Sequence, residues 1–422
     1  MSNLSNKDFL FSHIESMKRS GFETFEQFYL RELKHNIISY KHYKLLLKLI
    51  DKLQYSLFGF KKVDAIFVGD SRLLDLILSS RKYINSVIMA TGKKDRLGYA
   101  KMRIPYISGN EWQNYLYEIF KSNSGLIQEA IINKLLKEIA AILKKYSPRW
   151  VILWSDSSPL EKAFILAANR LKIPTIDIQH GIFSYSIETT TVDGKYSDYL
   201  LVWGKFFKQM YLSKRIKEED SLFVLGYPYL PKTLSGDKKR ETVAQHKVCF
   251  LGQNFEKYDE KLFLPKVKTV KNVLKACQEL DIPFIYRVHP GENKSKLIDC
   301  LPGIKFIPEK ETLDQTIKNN SIFCSINSTS LIEASMAGKI CFQLVANEFP
   351  SDNFEKLGIC YSRRNDPNEI KSFLSGTIRG EFLPFSFKPS YVEIPKDLGT
   401  RFYQILIEIE NRYSKKRYEK NI

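Results

Sequence analysis

Short apolar runs alternate with amphipathic stretches along most of the chain, and this alternation predicts a parallel sheet covered by helices. The β-branched runs at 63–69 and 86–91 flank a helix predicted from about Arg72 to Ser80. A stretch from Leu126 to Tyr146 repeats apolar pairs at helical spacing and stops before Pro148, as an amphipathic helix ahead of a proline does. Strand, helix and strand in this order are typical of the βαβ units of α/β proteins.

The clearest βαβ unit has strands predicted at 150–154 and 175–179, with a helix from Leu160 to Leu171 between them. Ahead of the first strands, residues 7–55 carry few glycines and no proline, and their apolar groups follow helical spacing. This region is therefore predicted to be a helical lead-in. Two further short strands are predicted at 199–204 and 222–228.

The pattern restarts after a polar, linker-like segment at 231–245, where we place a domain boundary. The repeat predicts a second Rossmann-like half. The expected α/β architecture has an N-terminal Rossmann-like domain at 1–231 with the helical lead-in, a C-terminal one at 246–400, and a helix with a basic tail at 401–422. The second-half strands are predicted at 247–253, 283–290, 304–308, 322–327 and 340–345, with helices near 264–280 and 313–320 and from Ser328 to Ala337.

The composition is that of an ordinary globular protein, with 44% hydrophobic and 27% charged residues among 422. Lys and Arg outnumber Asp and Glu by 65 to 47, and the net charge of +18 favours an anionic partner. The N-terminus lacks the apolar core of a signal peptide and no stretch approaches 18 apolar residues, so a cytoplasmic location is expected. The six cysteines form no C-x-x-C pair and are expected to be reduced thiols.

Polar residues at strand ends are the first candidates for chemistry, because doubly wound sheets bind ligands beyond the carboxyl ends of their strands. The run at 283–290 ends on Arg287, His289 and Pro290. A histidine there can donate to a phosphate oxygen and stabilise a departing anion, with the arginine as a further cation. The alternative is a histidine that caps its own loop. Gly252, in the preceding strand run, is predicted to contact the same ligand.

A segment of small polar residues precedes the last predicted helix of this half. The segment consists of Asn327, Ser328, Thr329 and Ser330. Backbone N–H groups and the positive dipole end at a helix start suit a phosphate. Alternatively, Ser330 is an ordinary cap and Glu333 completes a capping box with it. Because the segment and His289 fall on successive units of one half, they are predicted to face the same cleft.

Polar groups also follow predicted strands of the first half. Asp156 follows the first strand of the clearest βαβ unit, where a carboxylate can take a proton from a hydroxyl as a general base. Its alternative role is an N-cap for the next helix. Asp70, with Ser71 beside it, follows the first predicted strand and is the competing carboxylate. His180 and Gly181 follow a further strand, where a glycine lets a backbone approach a ligand or makes a turn.

The absence of several sequence motifs reduces the number of reaction classes that fit the chain. The chain has no G-x-x-x-x-G-K-[ST] and no G-x-G-x-x-G after a strand, which disfavours P-loop hydrolysis and dinucleotide redox chemistry. It has no H-E-x-x-H, no Cys/His cluster and no D-x-D pair, which favours a reaction that needs neither metal nor cofactor. A departing phosphate would then be neutralised by the positive groups described above.

Two Rossmann-like halves, the His289-Pro290 pair and a serine-rich helix start about forty residues later resemble GT-B glycosyltransferases. They resemble in particular the bacterial sialyltransferases and related Kdo transferases of surface polysaccharide synthesis. The run at 176–228 is also similar to capsule and lipopolysaccharide transferases, including the CDP-glycerol glycerophosphotransferases. In the resemblance, His289 corresponds to the phosphate-binding histidine and Ser328 with Ser330 to the serine pair. Sialyltransferases carry two carboxylates and a glycine where this chain has Asp156 between two serines.

The resemblance implies an inverting, metal-independent transfer of an acidic sugar from a CMP-sugar to a capsule or lipopolysaccharide acceptor, an oligosaccharide or lipid-linked glycan. Asp156 would be the base, while His289, the serine segment and Arg287 would stabilise the departing CMP. Alternatives are a transferase using CDP-glycerol or a UDP-sugar, and a sugar-nucleotide epimerase of the same fold. A nucleic-acid-binding protein is disfavoured, because no nucleic-acid recognition motif accompanies the charge.

The C-terminal tail is strongly basic. It is expected to form an amphipathic helix that docks on the anionic inner leaflet, with a solvated, frayed terminus as the alternative. Its only acidic residue after position 411 is Glu419, whereas its basic residues are Arg412, Lys415, Lys416, Arg417 and Lys420.

Overall fold

The computed structural model of the chain contains two parallel α/β sheets, one in each half. It describes residues 5–19, 26–27, 29–34, 37–38, 48–52, 62–69, 71–90, 93–181, 194–228, 246–257, 259–349, 351–385 and 391–419. The predicted linker at 231–245 lies outside these residues.

The sheet of the first half has seven strands: β1 (Ala65–Val68), β2 (Ser86–Ala90), β3 (Tyr106–Ser108), β4 (Trp150–Leu153), β5 (Thr175–Ile178), β6 (Tyr199–Val202) and β7 (Leu222–Val224). Their order is β3-β2-β1-β4-β5-β6-β7, and all neighbours are parallel. Every residue of β1, β2, β4, β5 and β6 is buried, which explains why β1, β4 and β6 are continuous apolar runs.

The second sheet has six strands: β8 (Val248–Leu251), β9 (Phe284–Arg287), β10 (Lys305–Phe306), β11 (Ile322–Ser325), β12 (Ile340–Val345) and β13 (Tyr361–Arg364). Their order is β10-β9-β8-β11-β12-β13, again all parallel. In each sheet the first strand lies inside the sheet, with later strands added on both sides of it. Such a reversal of strand order opens a crevice at the carboxyl ends of the strands.

Helices cover both sheets. Those of the first half are α1 (Asn6–Arg19), α2 (Leu74–Ser80), α3 (Lys93–Lys101), α4 (Asn110–Lys121), α5 (Gly125–Tyr146), α6 (Pro159–Arg170) and α7 (Lys205–Ser213). Those that follow are α8 (Phe263–Glu279), α9 (Lys294–Cys300), α10 (Leu313–Asn319), α11 (Ser330–Met336), α12 (Pro367–Ile378) and α13 (Leu398–Glu419). The predicted helix at 126–146 and the helical start of the lead-in are confirmed as α5 and α1.

Buried apolar side chains connect the two halves. Leu200 and Val202 of β6 belong to the same core cluster as Cys249 and Leu251 of β8 and Leu331 of α11. All six cysteines are free thiols and five of them are buried. Among the described residues, no helix combines the length and apolarity needed to cross a membrane.

The C-terminal helix α13 packs back onto the first half. Its side chains Phe402, Leu406 and Ile409 are fully buried in a cluster with β1 and β4. The apolar face of this helix is thus part of the protein core. Arg412 also has partners within the fold: its Nη1 lies 3.2 Å from Asp220 Oδ1, and its guanidinium lies over Phe223.

Candidate functional site

Three loops of the second half lie at one edge of the sheet. They follow β8, β9 and β11 at residues 252–254, 288–292 and 326–329, and β8 pairs with both other strands. Parallel strands bring their carboxyl ends to the same edge, so the loops border one crevice. We call them the second-sheet loops. They contain most of the ligand-binding residues predicted from the sequence.

His289 stands exposed in the loop after β9, and its ring orientation is fixed by the neighbouring backbone. The Gly291 N–H donates to His289 Nδ1 at 3.1 Å, so the predicted loop cap is present. An imidazole whose Nδ1 accepts a hydrogen bond carries its proton on Nε2 in the neutral form. The same ring therefore offers Nε2–H as a donor to an anion, and the two interpretations of His289 are compatible. Pro290 lies exposed in the same turn.

Gly252 allows the loop after β8 to approach the loop after β9. A Cβ at this position would lie 2.2 Å from Glu292 Oε2 and 2.7 Å from the Tyr286 hydroxyl. The Gly252 N–H donates to the Arg287 carbonyl at 2.9 Å. This glycine is thus required by packing between two loops of the site, and it offers no polar side chain to a ligand.

Gln253 links the loops after β8 and β11. Its Oε1 accepts from the Asn327 N–H at 2.9 Å and from the Ser325 hydroxyl at 3.0 Å, and its Nε2 donates to Asn327 Oδ1. The start of the serine-rich segment therefore has a defined position. The sequence motif search missed Gln253, because a glutamine after a strand has no motif of its own.

The serine-rich segment leads into α11, but the predicted capping box is wrong. Thr329 is the N-cap residue and makes no side-chain cap bond, while the Ser330 N–H donates to Ser328 Oγ at 3.3 Å. Since α11 begins at Ser330, Glu333 lies one position beyond the N3 site that a capping box needs. Its carboxylate instead accepts from the Tyr227 hydroxyl of the first half at 3.0 Å.

Glu333 lies where the two halves meet. Burial raises the pKa of its carboxyl to about 7, and the hydrogen bond from Tyr227 and the charges of Arg72 and Arg287 oppose that rise. Arg287 itself is anchored: its Nη1 donates to the Glu311 carbonyl at 3.0 Å and to Thr316 Oγ1 at 2.6 Å. The charge of Arg287 thus acts on Glu333, while its Nη1 stabilises the turn before α10 through these hydrogen bonds.

The raised pKa of Glu333 predicts a pH-dependent stability. Because the folded state favours the protonated carboxyl, this contribution is complete below the ordinary carboxyl pKa and is lost as pH rises through about 7. Glu333→Gln stays neutral throughout. We compare the unfolding free energy of the variant minus that of wild type at two pH values. From pH 5 to pH 8 we expect this difference to increase by about 1–3 kcal/mol in favour of the variant. Denaturant unfolding of both proteins at the two pH values measures this, and a difference that is equal at both would contradict it.

Asp156 is fully buried. Its Oδ2 accepts from the N–H groups of Tyr196 and Ser197 at 2.6 and 2.9 Å, which fixes the chain ahead of β6. The predicted N-cap role is wrong, because Ser158 occupies the cap position of α6. Burial lowers the pKa of the nearby Lys162 side chain to about 7, and the negative charge of Asp156 opposes this lowering.

A cation and two rings lie beyond the strands of the first sheet. The Arg72 guanidinium lies 5.3 Å from the Trp154 ring centroid, and the Trp154 and His180 rings are 6.0 Å apart. Gly69 allows the chain after β1 to pack against Trp154, because a Cβ at Gly69 would lie 2.3 Å from Trp154 Cβ. Arg72 was missed as a functional candidate. The available signal was an arginine just after a strand-end glycine.

The other site residues predicted in the first half are Ser71, Gly181 and Asp70. Ser71 begins a 3-10 turn that ends at Leu73. The Gly181 carbonyl, just after β5, accepts from Gln179 Nε2 at 2.9 Å. Asp70 lies outside the described residues.

The chain is similar in structure to solved sugar-nucleotide enzymes, although no family model and no curated protein matches its sequence. UDP-GlcNAc 2-epimerase from Neisseria meningitidis, bound to UDP-GlcNAc, is 17% identical with a TM-score of 0.56, over 82% of this chain and 98% of that one. The enzyme from Methanocaldococcus jannaschii, in complex with UDP-GlcNAc and UDP, is 20% identical with a TM-score of 0.58, over 81% and 99%.

A glycosyltransferase from Rickettsia africae is 13% identical to the chain with a TM-score of 0.54, over 84% of this chain and 100% of that one. At these identities the likeness shows the fold alone. The chain has the two facing Rossmann-like halves of a GT-B fold, with helical additions at both ends, as the sequence pattern predicted.

Proposed function

We propose that the chain is an enzyme that binds a UDP-sugar and breaks the bond between the sugar's anomeric carbon and the diphosphate. The observation that carries the proposal is the cross-linked set of second-sheet loops, which brings the Nε2–H donor of His289 and the serine-rich start of α11 to one edge. Two structural neighbours are described as bound to UDP-GlcNAc. They favour a uridine nucleotide over the CMP-sugar expected from the sequence resemblance.

In this proposal the second half, residues 246–400, holds the nucleotide. His289 donates from Nε2 to the diphosphate, and the serine-rich segment offers the backbone N–H groups of Ser328 and Thr329 just before α11. These donors act on the charge that develops on the leaving diphosphate, where fixed donors have their largest effect on rate. Arg72 supplies a further positive charge from the first half.

Glu333 is proposed to bind a hydroxyl of the nucleotide. Its carboxylate already accepts from a hydroxyl, that of Tyr227. A ribose diol offers the same kind of donor and would replace Tyr227 when the nucleotide binds. Asp156 is proposed to position residues 196–197, since one of its oxygens already accepts two backbone N–H groups.

A CMP-sugar transferase is the second candidate. It is favoured by the His289-Pro290 and serine motifs and by the net charge of +18, which suits an acidic sugar. Such a transferase, inverting and metal-independent, would use residues 1–231 for a glycan acceptor and would need a base there. With Asp156 holding backbone amides, Asp70 becomes the first candidate for that base.

Incubation with a panel of donors tests the proposal. The panel contains UDP-GlcNAc, CMP-sialic acid, CMP-Kdo and CDP-glycerol, each with and without a glycan acceptor. Released nucleotide is separated by chromatography, and proton NMR of the sugar distinguishes epimerisation from transfer. We expect conversion of the UDP-sugar. Release of CMP alone would overturn the proposal in favour of the second candidate.

Contact with an anionic membrane is proposed to involve only the end of the basic tail, because the apolar face of α13 is buried. Removing the residues after Ser414 deletes four of the tail's cations but retains the Arg412 contact with Asp220. We expect the truncated protein to lose flotation with phosphatidylglycerol vesicles while its melting temperature stays the same. Flotation equal to that of the full chain would contradict this proposal.

A further inference from the structure

A buried ionic cluster lies directly behind the second-sheet loops. Lys266 of α8 has a fully buried side chain, and its Nζ lies 2.7 Å from Glu292 Oε1 and 2.7 Å from Glu256 Oε2. The Glu292 side chain is fully buried as well. Because desolvation offsets much of the attraction in a buried ion pair, such a cluster is weak evidence for stability. Its contacts indicate a second role.

Lys266 joins the backbone of one loop to the side chain of another. Besides the two carboxylates, its Nζ donates to the Gln253 carbonyl at 3.1 Å. The Gln253 side chain in turn fixes Asn327. One buried ammonium is thus connected, directly or through one residue, to all three second-sheet loops.

The two oxygens of Glu292 have different partners. Oε1 accepts from Lys266 and from the Tyr286 hydroxyl, both at 2.7 Å. Oε2 accepts from the His289 N–H at 2.6 Å. An ionised carboxylate only accepts hydrogen bonds, so both oxygens suit these donors. An amide in its place would turn an N–H group towards one of them.

We propose that Glu292, held by Lys266, is a positioning residue for His289. By fixing the His289 backbone, it keeps Nδ1 in reach of the Gly291 N–H and so keeps the ring proton on Nε2, where a diphosphate would meet it. The kinetic part of this proposal rests on the proposed function, whereas the effect on the histidine tautomer does not.

The test compares Glu292→Gln with Glu256→Gln. Each variant removes one carboxylate charge beside Lys266, but Glu256 has Lys266 as its only side-chain partner among the described contacts. We expect Glu292→Gln to lower kcat/KM for the UDP-sugar by about 100-fold, the effect of a small misplacement of a reacting group. Glu256→Gln is expected to stay within about threefold of wild type. Equal losses in the two variants, or no loss in Glu292→Gln, would overturn the proposal.

A spectroscopic measurement separates positioning from the proposed function. With 15N-labelled histidine, the His289 resonances among the six histidines are assigned by their loss in His289→Asn. We expect the Nε2–H tautomer in wild type and Glu256→Gln, and a mixture of tautomers in Glu292→Gln. If no sugar nucleotide binds or reacts, the proposed function fails and this comparison still tests the positioning. A wild-type spectrum in Glu292→Gln would overturn it.

Should Glu292→Gln not fold, Glu292→Asp takes its place. The shorter carboxylate cannot reach both Lys266 and the His289 N–H. The same mixture of tautomers and a loss of about tenfold in kcat/KM are then expected. A wild-type spectrum together with a wild-type rate would overturn the proposal.

Discussion

Replacement of His289 by alanine is expected to lower kcat for the UDP-sugar by about 10²–10³-fold, because it removes a fixed hydrogen-bond donor to the leaving diphosphate. His289 is exposed, so the free energy of unfolding should change by less than about 1 kcal/mol. Initial rates of UDP-sugar conversion at saturating donor, followed by proton NMR, together with a thermal melt, measure both quantities.

His246 provides the matched control. It lies just before β8, at the opposite end of the strand from the second-sheet loops. His246→Ala is expected to keep the wild-type rate. Full activity in His289→Ala, or an equal loss in both variants, would show that His289 has no part in the reaction.

Replacement of Lys266 by methionine is expected to lower the free energy of unfolding by about 3–5 kcal/mol. The variant keeps the volume of the side chain but leaves Glu256 and Glu292 without the cation that both contact. Removing one partner of a buried ionic cluster has this large effect because the remaining charge stays desolvated. Denaturant unfolding followed by tryptophan fluorescence and circular dichroism measures it.

Lys268 on the same helix is the control for this substitution. Its side chain is exposed, and Lys268→Met is expected to change the unfolding free energy by no more than about 0.5 kcal/mol. Equal stability of the Lys266 and Lys268 variants would mean that the buried cluster contributes nothing to the fold.

The sequence pattern predicted the fold where strands are buried on both faces. The run at 340–345 coincides with β12, and the apolar pairs at 131–143 lie within α5. It missed β13, whose residues Tyr361–Arg364 include a serine and two arginines. An edge strand that is only partly buried carries no continuous apolar run, so hydrophobic periodicity does not reveal it.

The site was predictable where a residue type and its position are enough. A histidine at a strand end and a serine-rich helix start are visible in the sequence, and the structure brings their loops to one edge. Lys266 and Gln253 were not predicted, because their importance lies in contacts across 10 to 74 positions of the chain. Glu292 contacts His289 only three positions away, but what holds its carboxylate is Lys266, 26 positions away. Only the pairing of β8 with β9 and β11 brings those partners together.

Tertiary partners also decided what Asp156 and Arg287 contact. Both were placed correctly at strand ends, but strand ends carry structural groups as well as binding groups. Asp156 holds two backbone amides, and Arg287 holds the turn before α10. A sequence shows which side chains reach the edge of a sheet, whereas their hydrogen-bond partners depend on loops that are distant in the chain.

Calorimetric titration with UDP and with CMP tests the central claim most directly, because it needs neither the acceptor nor the sugar to be known. We expect wild type to bind UDP at least tenfold more tightly than CMP, and His289→Ala to lose at least tenfold in UDP affinity while His246→Ala keeps it. CMP binding as tight as UDP binding, with no effect of His289→Ala, would contradict the account.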